Sequence, residues 1–236
     1  MTPESVLAQM RELYSRAIAS NLSVKQYFPS EKTTKIRIGE KSRVVRVIGD
    51  LASTSALKNV RYADIYADVH TKEAFHLKLP DGGLLAFQYI FDNETSELVK
   101  HRLAYFPCDV LPTVEEAPEL YAKDELFGDI VLHQLVRFPI RFDFDPDNHV
   151  DLVHPICHLT LGQYQDCRIP VAGPILPYTF LMFVLRNFYS RLYLRHKNLF
   201  DKRIPYVPLQ FTITPSERRI SHFVMGRNWR SEYDPR

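Results

Sequence analysis

The chain has 236 residues, of which 45% are hydrophobic and 25% are charged, and its formal net charge is +2 at pH 7. These values are ordinary for a globular protein with a buried core, and they exclude a disordered chain. Only 8 residues are glycine, and none forms a G-x-G-x-x-G or G-x-x-x-x-G-K-[ST] motif, so neither a Rossmann dehydrogenase nor a P-loop NTPase is expected.

The first predicted element is an amphipathic helix at about residues 3–20. Thr2 can cap this helix with its hydroxyl, and Pro3 suits the first helical position. Apolar side chains then recur at helical spacing, as expected for one buried face. They are Val6, Met10, Leu13, Ala17 and Ile18. Two short strands are expected next, one around Ile36 and one over residues 44–48.

The segment from residue 73 to residue 107 has the clearest strand pattern in the chain. Apolar and polar side chains alternate there, and Asp81-Gly82-Gly83 and Asn93-Glu94-Thr95-Ser96 are suited to turns. We predict an antiparallel meander with strands near residues 75–80, 84–92 and 98–106. A short acidic helix near residues 114–124 is expected after it.

A hairpin is predicted over residues 135–161, with its turn at Pro146-Asp147-Asn148. The expected register pairs Asp143 with Asp151. Because side chains alternate across a strand, one face of the hairpin would be charged and solvated, and the other would be apolar apart from three side chains. These three are His154, His158 and Thr160.

The last part of the chain predicts a long amphipathic helix from about residue 177 to residue 200. A strand over residues 209–213 and a helix that begins at Pro215 are expected after it. Together the predicted elements give an α+β fold, in which an antiparallel β-sheet (meander plus hairpin) packs against the long C-terminal-half helix. We expect one domain over residues 1–236, because no flexible linker or repeat interrupts the chain.

The densest group of chemically reactive side chains lies between residues 137 and 170. We predict that His154 and His158 are catalytic acid–base groups and that Thr160 holds a ligand oxygen. Arg168 and Arg141 are predicted to bind an anion such as a phosphate group. The alternative is that both histidines are hydrogen-bonded core residues, since buried polar groups are usually satisfied inside a protein.

Two other kinds of site match the sequence only in part. The residue types that bind zinc are present at His154, Cys157, His158 and Cys167. However, Cys157 and His158 are adjacent in a predicted strand, so their side chains would point to opposite faces of that strand. His158-Leu159-Thr160 matches one H-x-[ST] element of a 2H phosphoesterase, and the sequence lacks the second. We therefore assign no metal site, and the sequence identifies no cofactor.

The charge of the chain is unevenly distributed. Residues 181–236 carry 11 basic and 4 acidic side chains, whereas residues 51–180 carry 10 basic and 19 acidic ones. Basic side chains interleaved with aromatic ones are typical of contact with single-stranded nucleic acid or RNA. The predicted nucleic-acid-binding residues are Arg186, Arg191, Arg195, Lys197, Lys202 and Arg203. The aromatic residues among them, Phe188, Tyr189, Tyr193 and Tyr206, alternatively form the core and flank of one helix.

Four segments of the chain carry a family resemblance. They are Leu103-Ala104-Tyr105-Phe106-Pro107, His154-Pro155-x-x-His158-Leu159-Thr160-x-Gly162, Arg168-Ile169-Pro170-Val171 and Phe183-Val184-Leu185-Arg186-Asn187-Phe188-Tyr189. In these segments the chain resembles a bacterial family known only as a domain of unknown function. The resemblance implies a genomic setting among defence or toxin systems, and it implies no catalytic residue.

These features lead us to expect a nucleic-acid-associated bacterial protein that acts on phosphodiesters, as a component of an antiphage defence or toxin-like system. One alternative is a non-catalytic subunit that docks a partner protein. Another is a small-molecule phosphoester hydrolase. Whether the protein is an enzyme stays open at this point.

A cytoplasmic location without membrane contact is expected. The N-terminal residues lack the basic and apolar regions of a signal peptide. The three cysteines are an odd number without a C-x-x-C pair, which fits a reducing compartment. The longest apolar run covers residues 178–185, well short of the roughly 20 residues that a membrane span needs.

Overall fold

The computed structural model of the chain describes residues 1–38, 41–51, 60–110, 118, 138–163, 166–202, 204, 207 and 210–225. Apart from residue 118, the helix predicted near residues 114–124 lies outside the described residues.

The described helices are α1 (Pro3–Ala19), α2 (Tyr62–Thr71), α3 (Pro177–Phe188), α4 (Ser190–Arg195) and α5 (Lys197–Phe200). The described strands are β1 (Lys25–Gln26), β2 (Glu31–Ile38), β3 (Lys41–Ile48), β4 (Leu77–Lys78), β5 (Leu84–Asp92), β6 (Leu98–Phe106), β7 (Ile140–Phe144), β8 (Cys157–Leu161) and β9 (Ile169–Pro170). Single 3₁₀ turns lie at Pro146–Asn148 and Glu217–Arg219.

All nine of these strands belong to one antiparallel sheet, which confirms the predicted α+β fold. The strand order is β1-β4-β5-β6-β7-β8-β9, and β3 also pairs with one end of β5. Within the described residues β2 pairs with β3 alone. The predicted meander is confirmed, because β5 pairs with β4 and with β6. The N-terminal helix is confirmed too, and the Thr2 hydroxyl caps it by accepting a hydrogen bond from the Ser5 amide at 3.3 Å.

One face of the sheet is covered by α3, with α1 packed beside that helix. The ring of Phe180 contacts those of Phe87 and Phe142, with centroids 5.5 and 6.0 Å apart. We call this side the α3 face. It consists of the side chains of Leu85, Phe87, Tyr89, His101, Leu103, Phe142, Phe144 and Leu159, all of which are buried.

The opposite side, which we call the α2 face, changes character along the sheet. Near β4 it is apolar and packs against Ile65, Tyr66 and Val69 of α2. Toward β7 and β8 it becomes polar and charged. Its side chains are Leu84, Ala86, Arg102, Ala104, Phe106, Arg141, Asp143, His158 and Thr160.

The single helix predicted over residues 177–200 is instead three consecutive helices, α3, α4 and α5. The backbone leaves the helical conformation at Tyr189, with φ −132° and ψ 47°. The buried Tyr189 hydroxyl donates a hydrogen bond to Asp81 Oδ2 at 2.8 Å and lies 2.9 Å from the Tyr105 hydroxyl. This hydrogen bond holds the Tyr189 side chain against the β4–β5 turn. In an uninterrupted helix the Tyr189 side chain would lie along the surface of that helix instead, so the bond accounts for the break.

The register predicted for the hairpin is wrong. Arg141 lies opposite Thr160, and Asp143 lies opposite His158 rather than Asp151. The second strand begins at Cys157 because the preceding segment makes its own turn, closed by hydrogen bonds between Val150 and His154. The backbone N–H and C=O groups of Val150 and His154 are hydrogen-bonded to each other within the connection, so β8 pairs with β7 only after this turn.

The C-terminal elements also differ from the prediction. Residues 210–213 form no strand, and the segment after Pro215 forms the short 3₁₀ turn instead of an α-helix. Phe223 makes a parallel bridge to Val171, which follows β9. The C-terminal segment is therefore held by contacts to the sheet edge that alternation in sequence does not indicate.

Candidate functional site

The β7–β8 hairpin places three predicted site residues, Arg141, His158 and Thr160, next to Asp143. Its register sets Arg141 beside Thr160 and Asp143 beside His158, all on the α2 face. Strand β6 adds Arg102, which lies directly opposite Asp143. The expectation of a solvated charged face is wrong for Asp143 and Asp145, which are only 3% and 8% exposed, whereas Asp151 is exposed.

Asp143 lies at the centre of this cluster. Its Oδ1 accepts a hydrogen bond from Arg102 Nε at 2.6 Å, and its Oδ2 accepts one from Arg141 Nε at 2.6 Å. Burial alone would raise the pKa of Asp143, but the charges of Arg102 and Arg141 outweigh it and hold that pKa well below its ordinary value. The carboxylate is therefore ionised and fixes the direction of both guanidinium groups.

His158 and His154 are in contact, with ring centroids 4.8 Å apart and planes at 70°. His158 Nδ1 lies 2.9 Å from the Pro155 carbonyl oxygen, and its Nε2 lies 3.8 Å from Asp143 Oδ2. Because a carbonyl oxygen can only accept a hydrogen bond, Nδ1 carries the proton in the neutral ring. His154 is not on a strand, so the contact arises from the turn at Val150–His154 and not from strand alternation.

Both imidazoles are neutral at pH 7. Burial lowers the pKa of His158, against the opposing effect of the Asp143 carboxylate. Burial also lowers the pKa of His154, and the positive charge of Arg168 lowers it further. Neutral imidazoles can accept a proton, which is what a general base requires.

Two polar atoms of the site have no hydrogen-bond partner among the described residues. They are Thr160 Oγ1 and His154 Nδ1, and both are buried. An unpaired buried polar group costs about 1–3 kcal/mol, so most such groups are satisfied in folded proteins. A ligand oxygen admitted to the cluster would give each atom a partner.

Arg168 joins the site from the neighbouring strand. It precedes Ile169 of β9, which pairs with Leu159 of β8. The half-buried Arg168 is close enough to His154 for its charge to influence the histidine. Sequence reasoning missed Arg102 as a member of the cluster, although alternation along β6 puts it on the side away from Leu103. Only the β6–β7 register shows that it reaches Asp143.

The predicted nucleic-acid-binding residues lie on α3, α4, α5 and the residues that follow. Five of them are exposed, namely Arg186, Arg191, Arg195, Lys197 and Lys202, whereas Arg203 lies outside the described residues. Asp201 contacts two of these cations, since Lys197 donates a hydrogen bond to it and Arg186 Nη2 lies 3.8 Å from its Oδ1. The surface is therefore cationic but partly neutralised.

The aromatic part of that prediction is wrong for two residues. Tyr189 and Tyr193 are buried, at 0% and 5% exposure, so they cannot stack on bases. The Tyr193 hydroxyl instead accepts a hydrogen bond from Arg186 and donates one to Asp201. Tyr206 lies outside the described residues. The described surface is thus cationic, and these two tyrosines are not available on it for stacking.

A separate cleft lies where the β5–β6 turn meets the segment before α3. It is lined by Met1, Ser96, Glu97, Leu98, Phe144, Pro174, Leu176 and Gln210. Glu97 is the only ionisable side chain among these lining residues, so they supply neither an acid–base pair nor an anion site. The histidine–arginine cluster is chemically the better equipped of the two.

Comparisons with known proteins are sparse. No curated protein and no solved structure matches the chain. A protein-family model matches residues 22–225, which include every described strand and all four segments that carried the family resemblance. That resemblance to a family of unknown function is confirmed. The chain belongs to the family described as "Uncharacterized conserved protein (DUF2290)".

Proposed function

We propose that this protein binds phosphate groups of nucleic acid and hydrolyses a phosphodiester at the α2 face of the sheet. One observation carries the proposal: two neutral imidazoles in contact lie beside arginines and a buried threonine hydroxyl that has no hydrogen-bond partner in the described part of the chain. Arginine binds phosphate through paired hydrogen bonds, and a positioned imidazole transfers protons. The site therefore contains the groups that phosphodiester hydrolysis needs.

The proposed reaction uses water as the nucleophile. A water oxygen bonds to phosphorus while the ester P–O bond breaks, and His154 accepts the proton that the water loses. The leaving oxygen takes a proton from solvent, and the imidazolium then releases its proton to solvent. Arg168 and Arg141 would hold the phosphate oxygens, and the Thr160 hydroxyl would donate a hydrogen bond to one of them.

The exposed cations of the helical segment would hold the rest of the nucleic acid. Arg191 and Arg195 lie on α4 and are exposed. Neutralised phosphates release condensed counterions, so the affinity should fall steeply as salt increases. In this proposal the helical surface supplies affinity and the sheet site supplies the chemistry.

Binding is tested by fluorescence anisotropy with labelled single-stranded RNA and DNA over a range of salt concentrations. Arg191→Glu combined with Arg195→Glu should weaken binding and reduce the salt dependence. Lys32→Glu combined with Lys35→Glu is the matched control, since it makes the same charge change on exposed residues of β2. Equal losses in both double variants would indicate a nonspecific charge effect and contradict a defined interface.

Catalysis is tested by measuring nuclease activity and melting temperature on the same purified variants. His154→Gln and Arg168→Ala should each lower turnover by about 100-fold or more, with the melting temperature little changed. His70→Gln is the control and should retain activity, because His70 lies on α2 with its ring stacked between those of Tyr66 and Phe75. A large loss of stability with unchanged specific activity would mean that His154 is a core residue.

The same assays separate the alternatives. Hydrolysis of a small phosphodiester without binding of RNA or DNA would favour a small-molecule phosphoester hydrolase.

The remaining parts of the proposal are a bacterial cytoplasmic location and a role in antiphage defence or a toxin-like system. The free thiols of Cys108, Cys157 and Cys167 support a reducing compartment. None of the described helices is long and apolar enough to cross a membrane. Phage plating on cells that express wild type or His154→Gln tests the defence role.

A second candidate function is supported by a different observation. Large apolar side chains are exposed on the turn after β7 and on the C-terminal segment, namely Val150, Leu152, Val153, Ile220 and Phe223. Exposed apolar side chains are typical of surfaces that contact a partner protein where they form a contiguous patch. A wild-type protein that neither binds nucleic acid nor cleaves phosphodiesters would favour this docking subunit.

A further inference from the structure

A second cluster of ionisable side chains lies outside the histidine–arginine site. His149 and Asp151 are on the connection between β7 and β8, and Glu217 begins the 3₁₀ turn near the C-terminus. One potential ligand atom from each of these three residues lies within 4.8 Å of the other two. Two segments that are distant in sequence therefore converge on one point.

Glu217 has an unused oxygen in this cluster. The residue is only 1% exposed, and its Oε2 accepts a hydrogen bond from the Thr214 amide at 3.0 Å. Its Oε1 is buried without a hydrogen-bond partner among the described residues, and so is His149 Nε2. These two atoms are 3.6 Å apart, which is too long for a hydrogen bond. They face each other across a gap that a metal ion would bridge.

Asp151 completes the arrangement from the exposed side. Its Oδ1 accepts a hydrogen bond from the Thr214 hydroxyl at 2.6 Å, and its Oδ2 accepts one from the Ser216 hydroxyl. These bonds lower the pKa of Asp151, with the bond from Ser216 contributing most. An exposed carboxylate is thus held in one orientation by hydroxyls, as outer-shell partners hold the ligands of metal sites.

We propose that His149, Asp151 and Glu217 form a binding site for a divalent transition-metal ion. One imidazole nitrogen and two carboxylate oxygens are a mixed ligand set that suits Zn²⁺ or Mn²⁺, whereas Mg²⁺ prefers oxygen ligands throughout. Three protein ligands leave coordination positions for water or for a ligand oxygen. The ion would also fasten the C-terminal segment to the β7–β8 connection.

The competing explanation is an ion pair between protonated His149 and Glu217. An ion pair accounts for those two residues, but it assigns no role to Asp151 or to the hydroxyls of Thr214 and Ser216. Metal binding requires Asp151, so substitutions at this exposed residue distinguish the two explanations. The metal site is independent of the proposed phosphodiester chemistry, and binding measurements test it without an activity assay.

The test is isothermal titration of Zn²⁺, Mn²⁺ and Mg²⁺ into the full chain after removal of metal with a chelator. The wild type should bind one Zn²⁺ or Mn²⁺ per chain, and Mg²⁺ should bind much more weakly. Asp151→Asn should weaken binding by about 100-fold, and Ser216→Ala by about tenfold, in line with the effects of outer-shell substitutions. Asp147→Asn, on the same connection and exposed, is the matched control and should bind normally.

Glu217→Gln should abolish binding, and circular dichroism establishes whether this variant of a buried residue folds. Should it fail to fold, Asp151→Asn still decides the question, because Asp151 is exposed. Zn²⁺ should also raise the melting temperature of the wild type but not that of Asp151→Asn. No binding by the wild type, or equal binding by wild type and Asp151→Asn, would overturn the proposal in favour of the ion pair.

Discussion

Two consecutive residues of β7 show how differently the two faces of the sheet are built. On the α3 face, Phe142 packs edge-on against the rings of Phe180 and Phe183, with centroids 6.0 and 5.2 Å away. On the α2 face, Asp143 binds Arg102 and Arg141. Apolar contacts are nondirectional and each contributes in proportion to the area it buries. A buried carboxylate is stable only while its partners remain, so the α2 face depends on a complete set of charges.

The largest expected effect comes from a conservative change on the α2 face. Asp143→Asn keeps the size of the side chain but leaves two partly buried guanidinium groups without a counter-charge. We expect a loss of about 3 kcal/mol in the free energy of unfolding, at the lower end for a broken buried pair because the arginine side chains are 20–22% exposed. Phe142→Leu, an equally conservative change on the α3 face, should cost about 1–2 kcal/mol.

Urea unfolding of both variants measures this difference. Combining Asp143→Asn with Arg102→Met should cost less than the two single changes added together, because the charges depend on one another. Asp147→Asn on the exposed turn should change stability by less than about 0.5 kcal/mol. If Phe142→Leu lowered the free energy of unfolding more than Asp143→Asn, the charged side chains of the α2 face would depend on one another no more than the apolar side chains of the α3 face do.

His101 on the α3 face and Asp143 on the α2 face should lose their contributions to stability in different pH ranges. Burial lowers the pKa of His101 on the α3 face from 6.5 to about 3, despite the opposing Asp143 carboxylate. The unfolded chain therefore binds this proton more readily, and the stability from neutral His101 is complete above pH 6.5 and declines as pH falls toward 3. The depressed pKa of Asp143 has a separate window, since its contribution declines only as pH falls below the ordinary value of 3.8.

Urea midpoints measured from about pH 7 to pH 4.5 test this order of events. In the wild type, the Ile175 amide donates a hydrogen bond to His101 Nε2 at 3.0 Å. His101→Gln retains an acceptor for this amide. The variant should lose less stability over that range than the wild type. His158→Gln should also reduce the loss of stability over that range, because burial lowers the pKa of His158. An unchanged pH slope in His101→Gln would assign the acid sensitivity to other groups.

The smallest expected effect on stability separates structure from function on the α2 face. Thr160→Val replaces a buried hydroxyl, which lacks a hydrogen-bond partner among the residues described, with a methyl group of similar size, so stability should change by less than about 0.5 kcal/mol or increase slightly. Binding of a phosphate-bearing ligand should nevertheless weaken. Thermal denaturation and anisotropy on the same sample measure both quantities. Thr212→Val, which removes another unpartnered hydroxyl, should leave ligand binding unchanged.

The elements that could be predicted from the sequence are those set by neighbouring residues. The meander follows from alternation and from turn residues such as Asp81-Gly82-Gly83, which act over a few positions. The break at Tyr189 could not be predicted, because its cause is a hydrogen bond to Asp81, 108 positions earlier. The hairpin register failed for a local reason, since the turn at Val150–His154, which the expected register lacked, displaces the start of β8.

The candidate site was predicted by residue type more than by arrangement. His158, Thr160 and Arg141 lie on one face, whereas the expected register put Arg141 on the face opposite the other two. The ionic partner of Asp143 on β6, Arg102, is 41 positions away in sequence. Glu217 and His149 are even further apart in sequence, so the sequence indicated no metal site at these residues. Such contacts depend on strand order, which local periodicity does not determine.

Among the residues that the structure describes, strand β2 pairs with β3 alone and so forms an edge of the sheet, which has a consequence for self-association. An eight-residue edge exposes backbone donors and acceptors that could pair with a second copy of the chain. Its exposed side chains include Lys32, Lys35 and Arg37. Edge-to-edge pairing of two copies would bring these positive charges together, so their repulsion opposes growth into aggregated sheets. Replacing them with uncharged β-forming residues would turn this edge into a template for aggregation.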